Sequence, residues 1–365
     1  MKEAVYLEDF GVVCSLGRGK RDVWDAVRSA SDRGIRKGSI AGRELFLGSV
    51  QRELYGPEPA YPFANRVNAI LAAALEEIRP AASAAVAKYG AHRVAALIGS
   101  CDNGSELSLE ALGQYTKTGA FPAGYSLECQ RADLPARFAA STLGLEGPVI
   151  AYSTACASSA SALIGARNML LSGLCDAAVV GGADIVSAAV ALGFSALEAV
   201  SDEPCKPFSR NRKGITLGEG AAVFVMTRDN LLGTGILLLG VGESGDAHHM
   251  TAPDPEGAGA ALAMERAIAC AGLEPEEIDY VNLHGTGTDL NDAMEARALA
   301  RTFARQVPAS STKSLTGHTL GAAGALELGI CWMALSGMNA DRILPPQLWD
   351  GQGDEGAPAV DIVTK

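Results

Sequence analysis

Aromatic residues are scarce in this chain, at 5% of 365 residues, and basic residues are outnumbered, with 30 Lys and Arg against 42 Asp and Glu. The first shortage removes the stacking platform that single-stranded nucleic acids use. The second, a net charge of −12, removes the basic footprint that neutralises phosphates, so nucleic acid is not an expected partner. No run of about 18 uncharged apolar residues is present, and no membrane span is expected. The first ten residues, MKEAVYLEDF, hold acids where a secretory leader needs an apolar run, so the expected compartment is the cytoplasm. The eight cysteines (14, 101, 129, 156, 175, 205, 270 and 331) contain no Cys-x-x-Cys pair. That spacing argues against a zinc ribbon and a disulfide framework, and His248-His249 make a poor metal pair because adjacent side chains diverge; no metal site is assigned.

Small and apolar residues are plentiful instead. A hydrophobic content of 48% with 42 glycines suffices for one large domain or two medium ones, closely packed. Apolar runs such as Val94 to Gly99, Ala177 to Gly182 and Ala221 to Met226 read as buried strands, with Asp279 to Leu283 as another. Gly257 to Cys270 reads as a helix between strands. This alternation predicts an α/β fold of parallel sheets covered on both faces. An internal echo adds to it. Val149 to Ser153 leads through Cys156 into a small-residue helix, and about 160 residues later Ser310 to Lys313 leads through His318 into another. Helices that lack a charged face for several turns, as these do, are expected to be buried all round, between two sheets. The expected halves are residues 1–230 and 236–365, joined near Asp229 to Gly235.

Three residues stand in turns without bulky neighbours. Cys156 lies in Ser153-Thr154-Ala155-Cys156-Ala157-Ser158-Ser159, at the end of a strand and the start of a helix. Free N–H groups and the helix dipole there are expected to lower the thiol pKa and to bind an oxyanion. His284 follows a strand into Gly285-Thr286-Gly287-Thr288, at the sheet edge where ligands bind in open parallel sheets. Thr286 and Thr288 offer hydroxyls to an extended substrate arm. His318 closes Lys313-Ser314-Leu315-Thr316-Gly317-His318. Glu327 is a lone acid on an apolar helix, and Lys313 is its natural partner. An inert buried thiol, a turn histidine bonding its own loop and a glutamate at an exposed helix end are the plainer readings of these residues.

Together these motifs resemble the β-ketoacyl-acyl-carrier-protein synthases of the Cys-His-His class, synthases I and II. The resemblance runs from about Glu8 to Pro346. It also rests on Val180-Gly181-Gly182-Ala183-Asp184, Pro207-Phe208-Ser209-Arg210 and Gly218-Glu219-Gly220. It implies a thiolase-like fold, layered αβαβα, of two pseudo-repeated ketosynthase halves forming a dimer, with itself or with a related ketosynthase-like subunit. It implies a decarboxylating condensation in which Cys156 holds the acyl group. His284 and His318 then bind the enolate formed from malonyl-acyl-carrier protein, and Lys313 paired with Glu327 orients the histidine site. Phosphopantetheine arrives on the carrier, so no cofactor of the enzyme's own is implied.

The family has a C-terminal Gly-Phe-Gly-Gly-type loop, and the chain stops at Lys365 before such a motif, which reads as an incomplete chain. Asp102 and Asn103 stand where synthase II has apolar acyl-pocket residues. With Arg212 to Thr216 and Asp246 to His249, they give a resemblance to synthases of aryl-polyene and polyketide-like pathways. An unsaturated, aromatic or polar acyl group is accordingly expected. From Arg18 to Arg43 eight Lys or Arg stand against three Asp, a candidate landing patch for an acidic carrier together with Arg66 and Lys117. The alternative reading is a non-catalytic, chain-length-factor-like subunit. A non-decarboxylating thiolase and a cysteine hydrolase fit the motifs less well.

Overall fold

The computed structural model describes residues 4–102 and 104–364; Asn103, one of the two expected acyl-pocket residues, lies outside the described residues. Its main sheet has seven strands. Leu237–Leu238, Val5–Cys14, Gly220–Thr227, Ala177–Asp184, Val94–Gly99 and Val149–Tyr152 follow one another in space, and Gly17–Arg18 pairs with Val5–Cys14. The runs Val94 to Gly99, Ala177 to Gly182 and Ala221 to Met226 are strands as read, whereas of Asp279 to Leu283 only Val281–Asn282 is one. The sheet is mixed rather than parallel, however, because Gly220–Thr227 runs antiparallel to both of its neighbours. Continuous apolar character reports burial on both faces, not strand direction. Every residue of Ala177–Asp184 and of Gly220–Thr227 is buried.

Helices Arg66–Tyr89 and Leu134–Leu143 cover one face of this sheet with an Ala-, Leu- and Ile-rich core. Helices Ser158–Leu171 and Ala323–Leu335 cover the other, packing on the sheet and on each other. Beyond them lies a second, parallel sheet of Val281–Asn282, Pro308–Ser310 and Asp361–Ile362. Helices Ala258–Ala271 and Asp289–Thr302 pair outside it. The order of layers is helix, sheet, helix, sheet, helix.

The internal echo is closer in three dimensions than in sequence. A one-turn 3₁₀ segment, Ala155–Ala157, precedes helix Ser158–Leu171, and its counterpart Leu320–Ala322 precedes helix Ala323–Leu335 at the same interval along the chain. Both segments open on a non-glycine residue in the left-handed region, Ala155 at φ 50° and Leu320 at φ 54°. In this correspondence Cys156 aligns with Gly321. The two turns lie against each other because their residues are small. A Cβ on Gly182 would stand 2.8 Å from Ser159 Cβ and 2.9 Å from the Gly321 carbonyl oxygen, so no side chain fits there. Ser159 Oγ accepts a hydrogen bond from the Ala325 N–H at 3.0 Å, linking one helix start to the other.

Candidate active site

The meeting of the two turns brings Cys156, His284 and His318 to one place. His318 Nε2 is 3.1 Å from Cys156 Sγ, and the two histidine rings meet edge to face with centroids 5.1 Å apart. All three residues line one cavity of about 530 Å³, which Thr286 and Thr288 also border. The two threonine hydroxyls are 2.9 Å apart. Phe194 and Ile215 add an apolar wall. The cavity therefore gathers a thiol, two imidazoles and two hydroxyls in one lining.

The hydrogen bonds fix which ring nitrogens face the thiol. The Leu320 N–H donates to His318 Nδ1 at 3.1 Å, so the neutral ring carries its proton on Nε2 and directs it at the site. Lys313 Nζ lies 3.4 Å from His284 Nδ1. An ammonium on that side likewise leaves the His284 proton on Nε2. Lys313 is itself buried and forms a short ion pair with Glu327. Burial, and then the Lys313 cation, hold both imidazoles well below the usual histidine pKa of 6.5. They are neutral donors at physiological pH.

The thiol departs from expectation. Burial pushes the Cys156 thiol up, Lys313 pulls it back and Asp184 opposes Lys313. The position at a helix start is as anticipated, but removal from water outweighs the nearby positive charge. The resting nucleophile is therefore chiefly a thiol. The three ligand atoms of Cys156, His284 and His318 lie within 4.8 Å of one another, a spacing that a metal ion can use. The tautomers do not suit one: protons, not lone pairs, occupy the site-facing nitrogens, and Lys313 adds a positive charge behind them.

Several residues that support this centre carry no role in the sequence reading. Glu295 accepts hydrogen bonds from the His284 and Gly285 N–H groups at 2.6 and 2.7 Å, which fastens the histidine turn. Burial raises its carboxyl to about 7. Asp292, one helical turn earlier, accepts from the Phe208 and Gly287 N–H groups. Both acids face inward on helix Asp289–Thr302, and their i, i+3 spacing after the His-Gly-Thr-Gly-Thr motif was the available signal. Asp184 ends an otherwise apolar strand and is fully buried.

Asp102 lies elsewhere. It borders a separate cavity of about 370 Å³, shared with Cys101, Ser105, Ser108, Gln130, Ala189 and Val190. Its carboxylate accepts from the Ser105 N–H and Oγ, both at 2.9 Å, at the start of helix Ser105–Thr118. The expected landing patch is thinner than its composition. Lys20 pairs with Asp9, and Arg33 donates to the Leu16 and Asp22 carbonyls. Arg66 is bound to buried Glu219 at 2.5 Å, so it serves the interior rather than a carrier. Arg36, Lys37 and Arg43, on the hairpin of Arg36–Ile40 and Arg43–Gly48, remain exposed, as does Lys117.

Comparison with known proteins agrees with this geometry. Residues 51–231 match the family model for the N-terminal domain of beta-ketoacyl synthase, and residues 237–348 match the model for its C-terminal domain. A 3-oxoacyl-[acyl-carrier-protein] synthase 2 of Coxiella burnetii is 32% identical over 383 residues, covering 97% of this chain and 90% of that protein. Nodulation protein E of Rhizobium leguminosarum bv. trifolii is 32% identical over 368 residues, covering 95% of this chain and 88% of that one. Among solved structures, the ketosynthase ApeO in complex with its chain length factor ApeC, from Xenorhabdus doucetiae, superposes with a TM-score of 0.90 at 39% identity. The match covers all of this chain and 91% of that one. The ishigamide ketosynthase/chain length factor gives 0.89 at 26% identity, covering 100% and 93%. No helix among the described residues is long and apolar enough to cross a membrane.

Proposed function

The chain belongs to the beta-ketoacyl synthase family, and from that premise we propose that it performs a decarboxylating Claisen condensation between an acyl thioester and malonyl-acyl-carrier protein. The observation that carries the reading is His318 Nε2, 3.1 Å from Cys156 Sγ and made a donor by the Leu320 N–H on Nδ1, beside a His284 ring whose Nδ1 faces Lys313. Cys156 Sγ attacks the acyl-carrier thioester, the carrier's sulfur leaves, and that sulfur takes up the thiol proton. The malonyl-carrier then enters the emptied cavity. Its carbon–carbon bond breaks, carbon dioxide leaves, and the electron pair becomes an enolate whose oxygen accepts from His284 and His318. Each positioned donor of this kind contributes roughly 2.7–4 kcal/mol at the transition state. The enolate carbon attacks the acyl-Cys156 carbonyl, and the cysteine sulfur departs with the β-ketoacyl product formed on the carrier.

Lys313 keeps the His284 proton on the correct nitrogen, and Glu327 keeps Lys313 in place. Thr286 and Thr288 line the path of the phosphopantetheine arm, which the carrier brings, so the enzyme needs no cofactor of its own. The acyl partner is unsaturated, aromatic or polar, a reading supported by Asp102, Ser105, Ser108 and Gln130 on the second cavity. The setting is chain elongation in a fatty-acid or aryl-polyene-like pathway in the cytoplasm. The chain pairs with a copy of itself or with a related subunit. The two complexes of ketosynthase with chain length factor favour the second arrangement. Cys156 puts this chain on the catalytic side of such a pair.

The test supplies acyl-carrier and malonyl-carrier thioesters together. Carbon dioxide and β-ketoacyl-carrier formed in equal amounts, and lost together in His284→Ala and His318→Ala, are expected. Carbon dioxide without a condensed product, from each acyl donor tried, would refute the condensing role.

A further inference from the structure

Asp184 is a fully buried carboxylate with no cation paired to it among the described residues. Four groups donate to it instead. Its Oδ1 accepts from Ser100 Oγ at 2.8 Å, from the Cys101 N–H at 3.0 Å and from the Asp102 N–H at 2.9 Å. Its Oδ2 accepts from the Cys101 N–H at 2.9 Å and from the Gly321 N–H at 2.6 Å. Three donors come from the segment that follows strand Val94–Gly99, and the fourth from the Leu320–Ala322 turn. Cys101 continues toward the nucleophile turn, with its Sγ 2.9 Å from the Ala155 carbonyl oxygen. Gly321 follows Leu320, whose own N–H donates to His318 Nδ1. Leu320 itself holds a left-handed conformation, φ 54°, which persists only where its surroundings fix it.

We propose that Asp184 is a positioning residue: by holding the Gly321 N–H it fixes the turn whose Leu320 N–H keeps the His318 proton on Nε2, facing Cys156. An acceptor-only group is needed there. An asparagine would turn an NH₂ toward N–H donors, and a fully buried carboxylate supplies the lone pairs without one. Burial raises this carboxyl to about 6, opposed by its four donors, so it is ionised at neutral pH. The groups around His318 are Cys156, His284 and Lys313, with Glu327 behind Lys313. None of them donates to Nδ1; the Leu320 N–H does.

The proposal rests on the condensing reading for its consequence, but not for its test. With five histidines in the chain, ¹⁵N-histidine labelling resolves the tautomer of His318 without substrate. The wild type is expected to carry the proton on Nε2. In Asp184→Asn the ring should populate the Nδ1–H tautomer, and the kcat for malonyl-carrier decarboxylation should fall about 10- to 100-fold with KM within about twofold, the scale of a small misplacement. Gly321→Ala approaches the same contact from the other side, because its methyl would stand 2.5 Å from Asp184 Oδ2. It should shift the tautomer in the same direction, and it carries the test if Asp184→Asn does not fold. An unchanged tautomer in a folded variant, or loss of folding in both, overturns the proposal. A wild type with the Nε2–H tautomer that decarboxylates no malonyl-carrier would instead overturn the condensing reading and leave the positioning role standing.

Discussion

The turns at Ala155–Ala157 and Leu320–Ala322 share a backbone course and differ in two positions, Ala155 against Leu320 and Cys156 against Gly321. Both open on a left-handed residue and both start a small-residue helix. Where the first carries Cys156, the second carries Gly321, with Asp184 Oδ2 hydrogen-bonded to its N–H. One turn presents a nucleophile. The other gives its side-chain space to a buried carboxylate and presents, from the preceding residues, a histidine locked as a donor. On the proposed reading, the duplicated frame is divided into an acylation half and a decarboxylation half. The difference teaches that the backbone sets where chemistry occurs, while one side chain on each copy decides which chemistry.

The sharpest way to break the comparison is to remove the nucleophile. Cys156→Ala should lose condensation at least about a thousand-fold yet retain malonyl-carrier decarboxylation, since the histidine donors stay in place. Steady-state assays of each half-reaction separate the two, and equal loss of both would contradict the division. Conversely, His284→Ala should cost decarboxylation about 10²- to 10³-fold while acylation of Cys156 proceeds. Loss of acylation to the same extent would show that the halves are not separable.

The Lys313–Glu327 pair sharpens the comparison energetically. Lys313→Met leaves a carboxylate at Glu327 with its partner gone, and thermal unfolding should register about 3–5 kcal/mol of lost stability. Lys313→Met with Glu327→Leu should recover most of that stability but little decarboxylation. Recovery of both would reduce the pair to packing.

The pH dependence distinguishes the halves more gently. Both imidazoles hold a proton less tightly than in the unfolded chain, so the folded state binds fewer protons than the unfolded state just below pH 6.5. Their contribution to stability is therefore full above about pH 6.5 and is lost as the pH falls below it. Decarboxylation, in contrast, should lose nothing through the imidazoles between about pH 6 and 8, because both donors remain neutral, and any fall toward pH 6 should follow the Asp184 carboxyl, which burial raises to about 6. The Cys156 thiol is shifted the other way, and its alkylation by iodoacetamide should keep rising through the ordinary thiol range. A plateau near pH 7 would indicate that the helix start outweighs burial after all.

The strands and the echo were legible because continuous apolar runs and small-residue helices leave strong patterns. Cys156, His284, His318, Lys313 and Glu327 were legible because each is a polar group set in an apolar or glycine-rich stretch. Direction in the sheet was not, since Gly220–Thr227 is as apolar antiparallel as it would be parallel. Nor were the buried acids Asp184, Glu295 and Asp292, whose partners are backbone N–H groups far along the chain or across a turn. Such partners have no residue type, so composition cannot reveal them. Arg66 was misread for the related reason that Glu219, which binds it, lies on a distant turn.

Intact-protein mass spectrometry after mixing with a panel of acyl-carrier thioesters, with Cys156→Ala as control, tests the central claim most directly. A mass gain of one acyl group on the wild type, absent from the variant and largest for unsaturated, aromatic or polar acyl groups, is expected. No gain from any donor on folded protein, or an equal gain on Cys156→Ala, would contradict it.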